Sequence, residues 1–322
     1  MSKLLNVSII QMPLGDNASS LKYLRDSVDI LMQSYAKPEL VVGVEFGIGC
    51  TPDTIPGKTT EFLGAIAKKH GIYFIPGTMF EISGEEGKFY NSCPVFGPDG
   101  RLITSYRKKV PFQPLEDTVV ASKDPGYCTF RIPEKDITVG VLICYDQFFP
   151  EIPRTLALEG AELLLCPAAD PVEFRHIPGI IPRARALENE LYYIWTSNAG
   201  LNAEGTGCGG SIIVDPEGAV VFQCGDTPTM ITKTLDLSRV ALKRSCGADQ
   251  HLSSLKYFDV KSPYANRTAD APVYASLPEL THTPAQWIAR QEEYEMPLLS
   301  TSSDPSADQE LDELYKQYLK IM

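Results

Sequence analysis

The stretch Ile137-Thr-Val-Gly-Val-Leu-Ile-Cys144-Tyr145-Asp146-Gln147-Phe148-Phe149-Pro150-Glu151 decides how the rest of the chain is read. Its first half is a short apolar, β-branched run, the pattern of a strand buried on both faces. Its second half turns polar and aromatic, then opens a helix expected over Glu151–Gly160. A residue at such a strand–turn–helix junction points out from the carboxyl edge of a sheet, where open α/β sheets place their sites. Backbone N–H groups of the turn can meet a developing oxyanion. The turn is also expected to lower a thiol's pKa from about 8.5. Cys144 is therefore the candidate nucleophile. The competing reading, for it as for each of the eight cysteines, is a thiol that packs as a small hydrophobe.

Working outward, short apolar strands alternate with amphipathic helices. Strands are expected at Leu4–Met12, Leu40–Val44, Ile72–Phe80, Glu162–Cys166 and Leu191–Ser197. Helices are expected at Ala18–Ala36, where Leu21, Leu24, Val28 and Leu31 keep helical spacing, at Thr59–His70 and at Pro182–Glu190. Asp16 or Asn17 is placed to cap the first, and Gly71 to end the second. Three hairpins interrupt the βα alternation: Phe89–Phe96 with Arg101–Arg107, Cys128–Pro133 with Ile137–Cys144, and Ser211–Asp215 with Ala219–Gln223, before a last strand at Met230–Leu235. The hairpins argue against a TIM barrel, which needs eight regular βα repeats. Two mixed sheets packed face to face, with helices on both outer faces, would bury these strands.

Composition bounds the function. The chain has 322 residues, 43% hydrophobic and 22% charged, with a formal net charge of −12. That charge makes a nucleic-acid backbone or an anionic membrane surface a poor partner. No apolar run approaches the ~18 residues of a membrane span, and the start of the chain turns polar too soon for a secretory signal. The cysteines form no CxxC pairs, so they are expected to be reduced and cytoplasmic. Four histidines leave little room for a His-based metal site. Beyond about residue 245 prolines and tyrosines replace periodicity, up to a short amphipathic tail at Leu311–Ile321. Residues 1–245 are therefore expected to form the core domain. Residues 246–322 are expected to form an arm, packed on its own or, by preference, on a neighbouring subunit of a homo-oligomer.

A thiol nucleophile needs a base. Among the histidines only His176 lies in a suitable loop, so a buried carboxylate, its pKa raised by burial, is the better candidate. Glu45 ends the apolar run Leu40-Val-Val-Gly-Val-Glu45-Phe46. Lys108, in Tyr106-Arg107-Lys108-Lys109, could hold a thiolate and then an oxyanion; a solvated basic patch is the alternative. Glu116, eight residues on, could orient lysine and substrate. Asp170, in the loop Asp170-Pro-Val-Glu173, is either a pocket residue or an exposed one, and Arg175 is either a carboxylate anchor or a surface residue. The glycine-rich run Gly205–Gly210 precedes a strand rather than opening a helix, so it is not read as a nucleotide loop.

Glu45 after its strand, Tyr-Arg-Lys108 and Leu-Ile-Cys144-Tyr-Asp-x-x-Phe-Pro-Glu, in that order, resemble the nitrilase superfamily of carbon–nitrogen hydrolases. So do Arg185–Asn189, Thr196–Ala199 and Gly209–Gly218, and the resemblance runs from about residue 4 to 240. It implies an α/β fold of the αββα sandwich type. It implies a Glu45–Lys108–Cys144 triad, with Glu116 as a second glutamate, and chemistry that needs no metal or organic cofactor. The resemblance implies that Glu45 takes the thiol proton and Cys144 forms a thioester, while Lys108 and the Tyr145 amide hold the oxyanion. Cys144-Tyr-Asp146 resembles the amidase branch, with some similarity to aliphatic amidases, rather than the Cys-Trp-Glu of nitrilases. Phe46, Tyr145, Phe148 and Phe149, together with Phe112, suggest a small, largely neutral amide as substrate. The alternatives are a carbamoyl amine, a cyclic amide, a nitrile, or a fold that has lost its chemistry.

Overall fold

The computed structural model describes residues 3–113, 115–202, 205–247, 249–257 and positions 283, 285, 286, 288 and 289. Residues 3–111 and 118–257 belong to one compact unit, and 112–117 to another. Among the described residues the larger unit holds fourteen strands, numbered in chain order. β1 (Leu4–Gln11), β2 (Leu40–Asp53), β3 (Tyr73–Ile82), β4 (Phe89–Phe96), β5 (Leu102–Arg107) and β14 (Thr229–Asp236) form one sheet, ordered β14-β1-β2-β3-β4-β5. β6 (Cys128–Ile132), β7 (Ile137–Val141), β8 (Leu163–Pro167), β9 (Tyr192–Thr196), β12 (Ile212–Val214) and β13 (Val220–Gln223) form the second, ordered β13-β12-β9-β8-β7-β6. In both sheets three central strands run parallel and the flanking ones antiparallel.

Strand alternation explains why the sheets face each other. Leu5, Val7 and Ile9 of β1, Leu40 and Val42 of β2, and Tyr73 and Ile75 of β3 share one core with Val139, Val141, Leu163 and Leu165 of the second sheet. The Tyr73 and Phe130 rings stack across the gap at 6.1 Å. The intervening residues Ile10, Val41 and Phe74 face the other way. They pack with Leu24, Val28 and Leu31 of α1 (Asn17–Leu31) and Leu63, Ile66 and Ala67 of α2 (Lys58–His70). Each of the Val, Leu, Ile and Phe side chains among them contributes about 1.5–3 kcal/mol on burial. On the far side, Leu156 of α3 (Glu151–Leu158) lies over Gly140 and Leu164, and Ala186 of α4 (Ile181–Asn189) joins the same cluster. The sandwich of two mixed sheets between helices is the architecture the hairpins and doubly apolar strands predict.

The boundaries shift where local chemistry competes with periodicity. Asp16 caps α1, its carboxylate accepting the Ser19 N–H at 2.8 Å. The helix stops at Leu31 rather than Ala36, because Ser34 turns its hydroxyl back to the Leu31 carbonyl at 2.7 Å. β2 runs past the expected Val44 to Asp53, with its pairing to β3 irregular between Val44 and Gly49. The glycine-rich run enters a hairpin of β10 (Ala199–Asn202) and β11 (Gly205–Cys208), and no helix opens there. Two short helices that the sequence periodicity does not mark, α5 (Ser238–Cys246) and α6 (His251–Ser254), follow β14. They carry the larger unit past residue 245. The amphipathic tail at Leu311–Ile321 lies outside the described residues.

Candidate active site

Glu45 sits where the β2–β3 ladder breaks. Close backbone approach there depends on glycine: a Cβ on Gly77, whose φ is +107°, would lie 1.8 Å from the Val44 carbonyl oxygen, and one on Gly43 2.2 Å from that of Pro76. The strand leaves its ladder at this point, and the Glu45 N–H crosses to the Ala168 carbonyl, just past β8, at 3.2 Å. Phe46 takes a left-handed φ of 55°, and its N–H donates to Thr78 Oγ1 at 2.8 Å. Glu45 is thereby held where the break in the middle of β2 meets the carboxyl end of β8.

Lys108 follows β5 directly. Its N–H donates to the Asn91 carbonyl at 2.8 Å, so β4 positions it. Its ammonium donates to Glu45 Oε1 at 2.8 Å, and Asn91 Nδ2 donates to the same oxygen at 2.8 Å. The Lys108 side chain is 1% exposed and that of Glu45 2%. Lys108 is thus a buried, paired cation, whereas neighbouring Lys109 turns out to the Asp124 carbonyl.

Cys144 does not end a strand. β7 stops at Val141, and the extended chain continues until the Leu142 N–H has bonded the Leu165 carbonyl at 3.0 Å. Cys144 then opens a tight 3₁₀ turn, Cys144–Phe148, with a left-handed φ of 43°. Non-glycine residues hold such a conformation only when their surroundings impose it. Here Asp146 imposes it. One oxygen of its carboxylate accepts the Tyr106 hydroxyl at 2.8 Å and the Ile143 N–H at 3.1 Å; the other accepts the Val110 N–H at 2.9 Å. Burial pushes the Asp146 carboxyl up to about 6, against the pull of Lys108 and these hydrogen bonds. Arg185 of α4 clamps the turn's other end, donating to the Gln147 carbonyl at 2.7 Å.

The thiol corrects one expectation. The turn does not lower its pKa: burial, then the Asp170 and Glu45 carboxylates, push Cys144 well above its ordinary value, while Lys108 pulls it down. The resting sulfur is a thiol, donating to Asp170 Oδ1 at 3.7 Å. Asp170 thus lies at the nucleophile rather than on an open loop.

The remaining candidates fall into separate groups. The half-buried Tyr145 ring lies 5.3 Å from both Phe148 and Phe149, so these three form one aromatic cluster beside the turn. Phe46 packs edge-on to Phe80 at 5.3 Å, in a second cluster. Glu116 lies in the 112–117 segment, where its N–H donates to the Phe112 carbonyl at 2.9 Å and its carboxylate accepts the Phe112 N–H at 2.5 Å. Arg175 is exposed and donates back to the Val172 carbonyl at 3.2 Å, and His176 is exposed too. Asn91 and Arg185 were not singled out for the site. A polar residue inside a strand, such as Asn91, carries a signal only once its register beside Lys108 is known.

Comparison with known proteins gives this site a context. The carbon–nitrogen hydrolase family model matches residues 6–245. A similar relative is omega-amidase NIT2-B of Xenopus laevis, 37% identical over 205 residues, covering 59% of this chain and 70% of that one. Omega-amidase NIT2 of Mus musculus is 34% identical over the same length and shares. Saccharomyces cerevisiae Nit3, described as a member of branch 10 of the nitrilase superfamily, superposes with a TM-score of 0.67 at 27% identity, covering 75% of this chain and 93% of that one. With three quarters of its length matched in sequence and in fold, and the nitrilase-type order of motifs in place, the chain belongs to the carbon–nitrogen hydrolase family.

Proposed function

We propose that this protein is an amidase that hydrolyses small linear amides through a cysteine thioester. The buried Glu45–Lys108 ion pair, whose charges both act on the Cys144 thiol, carries the reading. As sulfur attacks the carbonyl carbon, Glu45 takes its proton, and the carbonyl oxygen gains a negative charge. The Lys108 ammonium and the Tyr145 amide stabilise that charge, the largest single contribution in acyl transfer. The C–N bond then breaks, and the leaving nitrogen takes the proton from Glu45. Water next adds to the thioester with Glu45 as base, the C–S bond breaks, and the proton returns to sulfur. The balance is amide plus water giving carboxylic acid plus ammonia or an amine. A thiol protonated at rest suits this sequence, because the adjacent carboxylate deprotonates it only as the bond to carbon forms.

The relatives named omega-amidases support an amide over a nitrile as substrate. Tyr145, Phe148 and Phe149, with Phe46 and Asp170, line the acyl pocket in this reading. We further read residues beyond 245, where the family match ends, as an arm of this hydrolase unit, and the protein as a homo-oligomer. Exposed Leu158 and Leu187, at the ends of the paired helices α3 and α4, support the latter. Eight free cysteines support a reducing, cytoplasmic setting. Among the described residues no helix is long and apolar enough to cross a membrane.

The test is ammonia release from a panel of short amides, carbamoyl amines and nitriles. The wild type is expected to act on amides, and Cys144→Ala to release nothing while its circular dichroism spectrum is unchanged. Release by the variant would remove Cys144 as nucleophile. No release by the wild type from any compound would leave a fold without the chemistry.

A further inference from the structure

Thr196 ends β9, fully buried, in a run (Thr196–Ala199) that the thioester mechanism leaves unused. Its hydroxyl donates to the Gly43 carbonyl of β2 at 2.5 Å, a bond from one sheet to the other. Its own carbonyl accepts the Ala168 N–H at 2.7 Å, and the Ala168 carbonyl accepts the Glu45 N–H at 3.2 Å. One residue of the second sheet thus reaches β2 at Gly43 directly and at Glu45 through Ala168.

Facing sheets pack about 10 Å apart, so direct hydrogen bonds between them form only where they converge. Here they converge at the break in β2. The pairing of β2 with β1 ends at Val42, and its register with β3 shifts after Val44. From Gly43 onward the strand is therefore held less by its own sheet. The apolar core between the sheets is cohesive but has no preferred direction, whereas hydrogen bonds fix distance and angle. The site needs such a fix, because its parts belong to different sheets. The Glu45 carboxylate is bonded to Asn91 of β4 and to Lys108, which follows β5. Cys144 is carried by the second sheet, the chain before it bonding the Leu165 carbonyl of β8 through the Leu142 N–H at 3.0 Å. On the lysine side Asp146 spans the gap, through the Tyr106 hydroxyl and the Val110 N–H. On the glutamate side the Thr196 hydroxyl does so.

Resting on the amidase reading above, we propose that Thr196 is a positioning residue for the reaction, its hydroxyl fixing the Glu45 main chain relative to the sheet that carries Cys144. It acts through Glu45 rather than on the substrate. Without the hydroxyl, the segment from Gly43 to Glu45 loses its direct tie to β9, and the base shifts relative to the sulfur. A misplacement of about 1 Å is enough to cost on the order of 100-fold in rate. Substrate binding, which in this reading falls to the aromatic residues beside the turn, is left as it was.

The experiment measures kcat and KM for the best amide of the panel with wild type, Thr196→Val and Thr196→Ser. Valine has the shape of threonine without the hydroxyl, and serine keeps the hydroxyl without the methyl. In Thr196→Val kcat is expected to fall about 10- to 100-fold with KM within about twofold, and in Thr196→Ser kcat is expected to stay within about threefold of wild type. A merely structural role would penalise the serine variant too, since it loses a buried methyl group. Wild-type kcat in Thr196→Val overturns the proposal, as does a serine variant as slow as the valine one, or a rise in KM that accounts for the loss. Should Thr196→Val not fold, Thr196→Ser and Thr196→Cys decide, being similar in size but unequal as hydrogen-bond donors. The cysteine variant is then expected to be slower by about tenfold or more, and equal kcat values overturn the proposal. If the wild type hydrolyses amides and Thr196→Val matches it, only the role of Thr196 falls; if the wild type hydrolyses no amide, the amidase reading falls first.

Discussion

A lysine ammonium 1% exposed and a glutamate carboxylate 2% exposed are costly to bury, and each is tolerable only beside the other. This is why Lys108 differs from Lys109, one position away and turned to the surface. Lys108→Met leaves Glu45 buried without its cation, and removing one partner of such a pair costs about 3–5 kcal/mol. Urea unfolding is expected to show that loss, together with a drop of about 100-fold or more in kcat on the best amide. An unaltered rate would return Lys108 to a structural role. Asp146 makes a second prediction. Its carboxyl is raised from 3.8 to about 6, so between those values the native state holds a proton that the unfolded chain has released. By linkage this group's contribution to stability falls as pH rises through that window, by about 3 kcal/mol in all, and is level above it. Unfolding free energies of wild type and Asp146→Asn, measured from pH 4 to 7, are expected to show that slope in their difference; a flat difference would place Asp146 at an ordinary pKa.

The parallel strands β2 and β3 are drawn together at Gly43 and Gly77, and the site depends on that approach. Val44, whose carbonyl a Gly77 side chain would strike, immediately precedes Glu45. Gly77→Ala forces both a clash with backbone and a strained φ, costing about 2–4 kcal/mol. Its melting temperature is expected to fall by roughly 5–10 °C, with activity falling further than stability because Glu45 moves with the strand. A variant that melts with the wild type would show that the two strands can separate without cost. The 3₁₀ turn at Cys144 belongs to this scale too. Its shape is set by Asp146 and Arg185, which come from the turn itself and from α4.

At the scale of the whole molecule, a sandwich buries the inner faces of both sheets but leaves the outer helices half uncovered. Leu158 is 64% exposed and Ile180, beside α4, 58%. A second copy of the chain is the proposed cover. Leu158→Asp is expected to lower the mass measured by light scattering while leaving the circular dichroism spectrum intact. An unchanged mass would show that this face is not where copies meet.

The primary structure by itself determined which segments pair and which residues compete for the chemistry. Strand periodicity, the three hairpins and the order of Glu45, Lys108 and Cys144 are local patterns, and two-fold and 3.6-fold repeats survive in one dimension. Tertiary structure alone decided the electrostatics. The turn at Cys144 reads as one that lowers a thiol's pKa, yet burial and two carboxylates raise it, because desolvation depends on what surrounds the sulfur in space. It likewise decided that Asp170 meets the sulfur while Arg175, five residues on, does not, and that Asn91 lies beside Lys108. Such proximity is set by strand register and by the packing of one sheet on another, which no local spacing encodes.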